Sequence, residues 1–188
     1  TSTPSGPVGT PIAVSARLVK ISAGPVVPGE AVVNKIATAS SSSETIVNFI
    51  ERQSGNVYAY LVHAGTLTRT SNRTIPGIQS AVWTPSASIA FVRYLSGDNS
   101  STINTYALYA DGTNGFFLSQ NLSDIAVSAT SVLALASGVS GSSASLLRTD
   151  GTRSSEVFTT PLSSLRIAFA GKNQYLAFTK PTSSLHGS

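Results

Sequence analysis

The acidic side chains are the residues of this sequence best suited to chemistry, because two nearby carboxylates can act as acid and base in glycoside hydrolysis. Asp111 and Asp150 each precede a Gly-Thr pair, a position where aspartate favours turn geometry. Glu51, beside Arg52, and Arg93 lie at matching strand ends, where a surface pair and a channel-lining role fit equally well. The sequence therefore predicts no catalytic residue among the acids. The eight acids are Glu30, Glu44, Glu51, Asp98, Asp111, Asp124, Asp150 and Glu156.

Groups that could bind a metal ion are scarce. The segment Asp98-Asn99-Ser100-Ser101 offers oxygen atoms, but Ca²⁺ takes about six to eight oxygen ligands and needs a denser cluster. The histidines are His63, beside the turn Gly65-Thr66, and His186 near the end of the chain. We expect His63 to be an exposed hairpin residue. Cysteine is absent, which excludes a thiolate nucleophile and cysteine-bound zinc. The sequence predicts no metal and no cofactor.

Short catalytic motifs are missing as well. The sequence has no G-x-S-x-G elbow, no G-x-x-x-x-G-K-[ST] phosphate loop and no H-E-x-x-H pair. A Ser-His-Asp triad is disfavoured because each histidine is isolated from a partner that would orient it. We therefore expect a protein that is not an enzyme.

Composition indicates a globular β protein with few charges. Hydrophobic residues make up 41% of the chain and charged residues only 11%, against about 25% charged residues in ordinary domains. The net charge of +4 comes from twelve basic residues that are spread along the chain. Nucleic-acid binding is disfavoured because its basic residues normally cluster on one face. The chain has no apolar run of about 18 residues, so no membrane span is predicted.

Internal repetition is the main structural signal. Four similar apolar segments start at residues 47, 89, 132 and 175, with spacings of 42, 43 and 43 residues. Gly-Thr recurs at 65–66, 112–113 and 151–152, twice after Asp, which is typical of a turn between antiparallel strands. A third pattern precedes the second to fourth segments. It reads Ile78-x-x-Ala81-x-Trp83, Leu122-x-x-Ile125-x-Val127 and Leu162-x-x-Leu165-x-Ile167.

Each unit reads as four short strands, because apolar runs of strand length alternate with turn residues. In the best-defined unit we expect strands at about 79–83, 88–95, 103–110 and 115–119. A single sheet of this size cannot bury both faces and must stack against its neighbours. Trp83 is expected to be an inner-strand aromatic that packs between adjacent sheets.

Two segments of this unit resemble the repeats of TolB-like and WD40-like propellers. Residues 83–91, Trp-Thr-Pro-Ser-Ala-Ser-Ile-Ala-Phe, are similar to W-S-P-D-G-K-x-I-A-F, although Ser86-Ala87 replaces Asp-Gly. Residues 106–114 are similar to I-Y-x-x-D-x-D-G-x-N. The resemblance implies an all-β fold: a β-propeller-like array of four-stranded antiparallel blades, about four repeats of roughly 42 residues. It implies no particular function, because this fold serves many.

The repeats divide the chain into a Pro/Ser/Gly-rich linker at 1–11 and a repeat domain at 12–188. Its predicted blades are 31–72, 78–121 and 122–160, with a partial blade at 161–188. A strand at 14–22 is expected to belong to a preceding blade or to close the ring against the last one. We favour an incomplete, truncated propeller over a closed ring of four blades. Its open edges would permit self-association or contact with the rest of a longer propeller.

The sequence favours a non-catalytic, extracytoplasmic module that binds a protein or cell-surface partner through loops at one end. Abundant Ser and Thr, absent Cys and the tether-like start motivate this hypothesis. The expected loops are 97–102 and 138–143. Two alternatives stay open: a carbohydrate-active enzyme or its accessory domain, and a structural subunit of a surface layer or filament. The predicted partner-binding residues are Asp98, Asn99, Ser100, Ser140 and Ser142.

Overall fold

The structure is a computed structural model that describes residues 18–36, 38, 42–152, 154–171 and 174–179. Within these residues the chain forms fourteen β-strands and one short 3₁₀ turn at Asp98–Ser100. No helix in the described ranges has the length and apolar character needed to cross a bilayer. The strands are β1 (Ala31–Lys35), β2 (Glu44–Ile50), β3 (Val57–Leu61), β4 (Thr66–Arg69), β5 (Ile78–Trp83), β6 (Ile89–Ser96), β7 (Thr102–Tyr109), β8 (Phe116–Phe117), β9 (Leu122–Val127), β10 (Ser131–Gly138), β11 (Gly141–Arg148), β12 (Ser154–Thr160), β13 (Leu165–Gly171) and β14 (Gln174–Thr179).

The strands form four sheets in which each strand pairs with its neighbour along the chain. Three sheets have four strands, β1–β4, β5–β8 and β9–β12, and the fourth contains β13 and β14. Every pairing is antiparallel. We name the sheets blades 1 to 4, and the strands within a blade a to d in chain order. The predicted all-β array of four-stranded antiparallel blades is confirmed, with the fourth blade represented by its a and b strands.

The four strands predicted for blade 2 lie within two residues of the observed ends of β5 to β8. Blades 1 to 3 span 31–69, 78–117 and 122–160, inside the predicted ranges. The predicted linker at 1–11 and residues 180–188 of the partial blade lie outside the described residues. Of the predicted strand at 14–22, residues 14–17 also lie outside them, and residues 18–22 are not in a strand.

Aspartates close the turns between strands c and d of blades 2 and 3. The Asp111 carboxylate accepts hydrogen bonds from the backbone N–H and hydroxyl of Thr113, at 3.0 and 2.8 Å. Asp150 accepts the same pair from Thr152, at 2.9 and 2.5 Å. Gly112 and Gly151 adopt φ of 80° and 79°, which costs glycine little because it has no Cβ. The structural role predicted for both aspartates is confirmed.

The apolar core lies between the blades. Successive residues of a strand point to opposite sides of its sheet, so each b strand contributes side chains to two cores. In β6, Ala90 and Val92 pack towards blade 1, whereas Ile89 and Phe91 pack towards blade 3. We call these sides the preceding face and the next face of a blade. Trp83 packs against the core between blades 1 and 2 and donates from its indole N–H to the Gly29 carbonyl, at 2.7 Å, which confirms its predicted position.

The observed faces correct the residue-level alignment of the repeats. Ile50 lies on the next face of blade 1, so its equivalent is Phe91. The sequence pattern instead aligns Ile50 with Val92, which lies on the preceding face. Likewise Val132 matches Ala90 and not Ile89. Because side chains alternate in a strand, a slip of one residue exchanges the two faces.

A β-bulge explains the third repeated pattern in blades 2 and 3. Ile78 and Ala81 are three residues apart, yet both pack into the core between blades 1 and 2. The register between β5 and β6 shifts at Ile78 and Ser80, which turns the extra residue aside. Leu122 and Ile125 repeat the arrangement in blade 3, with a register shift in the same part of the sheet.

Candidate binding face

The strand order brings two sets of connections to one end of the array. In an antiparallel sheet of four consecutive strands, the b–c turn and the chain leaving strand d lie at the same end. Hydrogen bonds tie these segments together: Asn121, before strand β9, accepts from and donates to the backbone of Ile103 at the start of β7. We call this end of the blades the binding face.

The b–c turn of blade 2 contains the first predicted binding residues. Asp98, Asn99 and Ser100 are exposed and form the short 3₁₀ turn. Asn99 and Ser100 adopt positive φ, 62° and 54°, a conformation that asparagine tolerates better than most residues. The turn is fixed by local hydrogen bonds, with Ser100 N donating to Gly97 O at 3.1 Å. The structure therefore presents these three side chains to solvent on a defined backbone.

The b–c turn of blade 3 is a two-residue hairpin, Val139 and Ser140, between the paired residues Gly138 and Gly141. Both turn residues are exposed. The turn borders a hollow of about 400 Å³. Its lining consists of small and hydroxyl-bearing residues: Ala136, Ser137, Gly138, Ser140, Gly141, Ser142, Ser143, Thr159 and Thr160. Such a surface offers many hydrogen-bond donors and acceptors and no charge.

Ser142 is a correction to the prediction, because it is not an exposed loop residue. It lies in strand β11 and is 3% exposed. Its hydroxyl donates to the Leu162 carbonyl at 2.7 Å and contacts the Ser137 hydroxyl at 2.8 Å. Ser137 in turn contacts the hydroxyl of Ser123 at 2.9 Å, and Ser123 donates to the Leu135 carbonyl at 3.1 Å. Ser142 therefore holds the hairpin base in place.

Charged side chains link blades 2, 3 and 4. Arg166 of β13 pairs with Asp124 of β9 at 3.0 Å, and the other Asp124 oxygen accepts the Ile167 backbone N–H at 3.0 Å. Arg93 of β6 donates to the Leu122 carbonyl. Burial lowers the pKa of Arg93, Asp124 opposes that shift, and repulsion from Arg166 adds to it. The group therefore holds two guanidinium groups and one carboxylate.

Part of this cluster is buried without a partner. Arg93 Nε and the Thr105 hydroxyl are buried and have no hydrogen-bond partner in the described part of the structure. The two residues face each other across β6 and β7. Because the guanidinium stays charged at all ordinary pH values, leaving its Nε buried without a partner costs stability.

The residues considered for catalysis are dispersed. Glu44 is occupied at the opposite end of blade 1, where its carboxylate accepts the backbone N–H groups of His63 at 2.8 Å and Ala64 at 3.3 Å. These hydrogen bonds lower the pKa of Glu44, with the His63 N–H as the main cause. His63 is an exposed hairpin residue, as predicted. Within the described ranges, no three His, Cys, Asp or Glu residues group closely enough to hold a metal ion.

The pairing of Asp124 with Arg166 is the contact that sequence reasoning missed. The two residues are 42 apart, one repeat length. They occupy equivalent positions on the a strands of successive blades, since Asp124 pairs with Leu135 and Arg166 with Phe178. A search for opposite charges spaced by one repeat would have found them.

No protein-family model matches this chain, and no curated protein matches it. Among solved structures it is similar to the crystal structure of the N-terminal domain of Nup159, with 11% sequence identity and a TM-score of 0.47. The match covers 78% of this chain and 38% of that chain. The sheets and the cores between them define this chain as an all-β, propeller-like repeat protein.

Proposed function

We propose that this chain is a non-catalytic, extracytoplasmic module that binds a protein or cell-surface partner through its binding face. The observation that carries the proposal is the pair of exposed b–c turns at one end of the blades, 97–101 and 139–140, the second of which borders a hydroxyl-lined hollow of about 400 Å³. Exposed turns on a rigid sheet scaffold are where binding residues commonly lie.

The chemistry of this face favours recognition over catalysis. The hollow is lined by serines, threonines, glycines and an alanine, which can exchange hydrogen bonds with uncharged polar groups of a partner. Acids elsewhere serve the fold: Asp111 and Asp150 close turns, and Asp124 joins blades. The location outside the cytoplasm is supported by composition alone, with no cysteine and only 11% charged residues.

The proposal is tested by measuring binding of the full chain to isolated cell-surface proteins and to a glycan array. Ser140→Arg and Asn99→Arg should each weaken binding at least about tenfold, because a bulky charge on an exposed turn blocks close approach. The matched control, Thr66→Arg, adds the same side chain at the opposite end of blade 1 and should leave binding unchanged. Equal loss in all three variants would contradict the assignment of the face.

A screen for glycosidase and peptidase turnover separates this proposal from the enzymatic alternative. We expect no turnover. Activity that disappears in Glu51→Gln or Asp98→Asn, while those variants keep their thermal stability, would overturn the non-catalytic proposal.

A further inference from the structure

The last blade exposes a surface whose equivalent is buried in the other blades. Leu133 and Leu135, on the next face of blade 3, are 0% exposed because blade 4 packs on them. Leu176 and Phe178 hold the same positions in blade 4, and they are 52% and 50% exposed. Ala168 and Arg166 pair with them on β13 and extend this surface. We call these four residues the tail surface.

The first blade exposes part of the complementary side. Val32, Val47, Tyr60 and Leu67 form one row across all four strands of its preceding face. Val32 is 59% exposed and Leu67 is 44% exposed. Beside this row, the Phe49 ring, 4% exposed, stacks on Tyr58, with ring centroids 5.5 Å apart. We call these six residues the head surface, which also borders a mostly apolar hollow of about 180 Å³.

Glycines in the c–d turns show what normally covers a preceding face. A Cβ on Gly151 of blade 3 would overlap the Phe116 ring on the outer strand of blade 2. A Cβ on Gly112 of blade 2 would lie 3.3 Å from the Thr70 carbonyl, just after the outer strand of blade 1. Gly65 is the corresponding glycine of blade 1, and a Cβ there meets nothing within 4 Å among the described residues. Among the described residues, the outer part of the preceding face of blade 1 near Gly65 is therefore open, whereas its part around Phe49 is covered beside Ser22 and Ala23.

Each surface has a charged residue beside it. Glu51 borders the hollow of the head surface. Arg166, whose side chain is 46% exposed, belongs to the tail surface. Both lie near the binding-face end of their blades, where contacts between blades already include the ion pair of Asp124 with Arg166. The guanidinium of Arg166 already pairs with Asp124 at 3.0 Å, so its charge is balanced within the chain.

We propose that the tail surface of one copy of this chain binds the head surface of a second copy, so that the array continues from molecule to molecule. The chain makes this type of contact three times within itself, between blades 1 and 2, 2 and 3, and 3 and 4. It therefore carries both halves of the interaction. Two different surfaces meet in this contact, which is heterologous and builds rings or open filaments. The proposal is independent of the binding face, because it uses the ends of the array.

The experiment measures the mass of the full chain by light scattering and sedimentation over a concentration series, up to about 0.5 mM. Interfaces of modest size bind in about the micromolar to millimolar range. The mass should rise with concentration above the 19.3 kDa of one chain. Phe178→Glu and Leu67→Glu should each weaken association at least about tenfold, since each places a charge in the apolar centre of the contact.

Two control variants add the same charge beside each tested position. Thr179→Glu follows Phe178 and Thr68→Glu follows Leu67, and both side chains point to the other side of their sheets. These controls should associate like the unmodified chain. Circular dichroism should show β structure in all four variants, because every substituted residue is exposed.

Mixing the variants distinguishes a heterologous contact from a symmetric one. Phe178→Glu has an intact head and Leu67→Glu an intact tail, so an equimolar mixture should form a 1:1 dimer and stop there. A chain that stays monomeric at every concentration would overturn the proposal. So would a mixture that forms no dimer, or a Leu67→Glu variant that assembles fully.

Discussion

Equivalent strand positions lie in different surroundings in blades 3 and 4. Leu133 is 0% exposed in blade 3, and its equivalent in blade 4, Leu176, is 52% exposed. The strands that carry them have similar sequences and pair with the first strand of their blade at equivalent positions, and β10 also pairs with β11. The difference arises because a blade buries its next face only against the blade that follows it. Contacts between sheets therefore contribute to the stability of this fold as much as each sheet itself does.

The strongest test of this difference is to truncate the equivalent leucine in each blade. Leu133→Ala should lower the free energy of unfolding by about 2–5 kcal/mol, because it leaves a cavity between blades 3 and 4. Leu176→Ala should lower it by less than about 1 kcal/mol, because the side chain is half exposed in one copy of the chain. Urea unfolding of dilute, monomeric protein measures both. Equal losses would show that burial between blades is not the main source of stability.

The turn glycines give a second matched pair. Gly151→Ala should destabilise by about 2–4 kcal/mol, because the new methyl group overlaps the Phe116 ring and the backbone has positive φ. Gly65→Ala has the backbone cost alone, about 1 kcal/mol, since no described atom lies near its Cβ position. Thermal unfolding of the two variants gives the comparison. A larger loss at Gly65 would place an undetected contact there.

The polar link between blades 3 and 4 should contribute less than their apolar contact. Asp124→Ala removes the partner of Arg166 and of the Ile167 N–H, and we expect a loss of about 1–2 kcal/mol, discounted for the exposure of Arg166. Asp98→Ala, in an exposed turn, is the matched control and should change stability by less than about 0.5 kcal/mol. Urea unfolding of both variants decides whether the charge contributes to the fold.

The blades of this fold could be predicted from the sequence, whereas the face on which several residues lie could not. The 42- and 43-residue spacings and the Asp-Gly turns predict the blades, because turn chemistry and strand alternation are local properties. The alignment of Ile50 with Phe91 was not predictable, since a slip of one residue leaves the apolar spacing similar while exchanging the faces. Ser142 is predicted to be a loop residue because it lies in a Ser-rich stretch, and the carbonyl that accepts its hydrogen bond belongs to Leu162, 20 residues away.

The smallest expected effect is on the pH dependence of stability. The pKa of Glu44 lies below its ordinary value of 4.5 in the folded chain, mainly because the His63 N–H stabilises the carboxylate. The unfolded chain therefore binds this proton more readily, so the contribution is present above pH 4.5 and is lost as the pH falls through the folded pKa. Melting temperatures from about pH 3 to about pH 6 should fall less steeply in acid for Glu44→Gln than for the unmodified chain. Parallel curves would contradict this.

The chain of serine hydroxyls beside the hollow has fewer protons than hydrogen-bonding contacts. Ser123, Ser137 and Ser142 own three hydroxyl protons, but four oxygen–oxygen contacts join them to each other and to the carbonyls of Leu135 and Leu162. Ser123 and Ser142 each direct a proton to a carbonyl, and Ser137 can then satisfy only one of its two neighbours. One contact is always unfilled, and Ser137 borders the hollow. An amide or alcohol that enters the hollow can therefore donate a hydrogen bond to this chain of hydroxyls. A group that only accepts hydrogen bonds finds no free donor there.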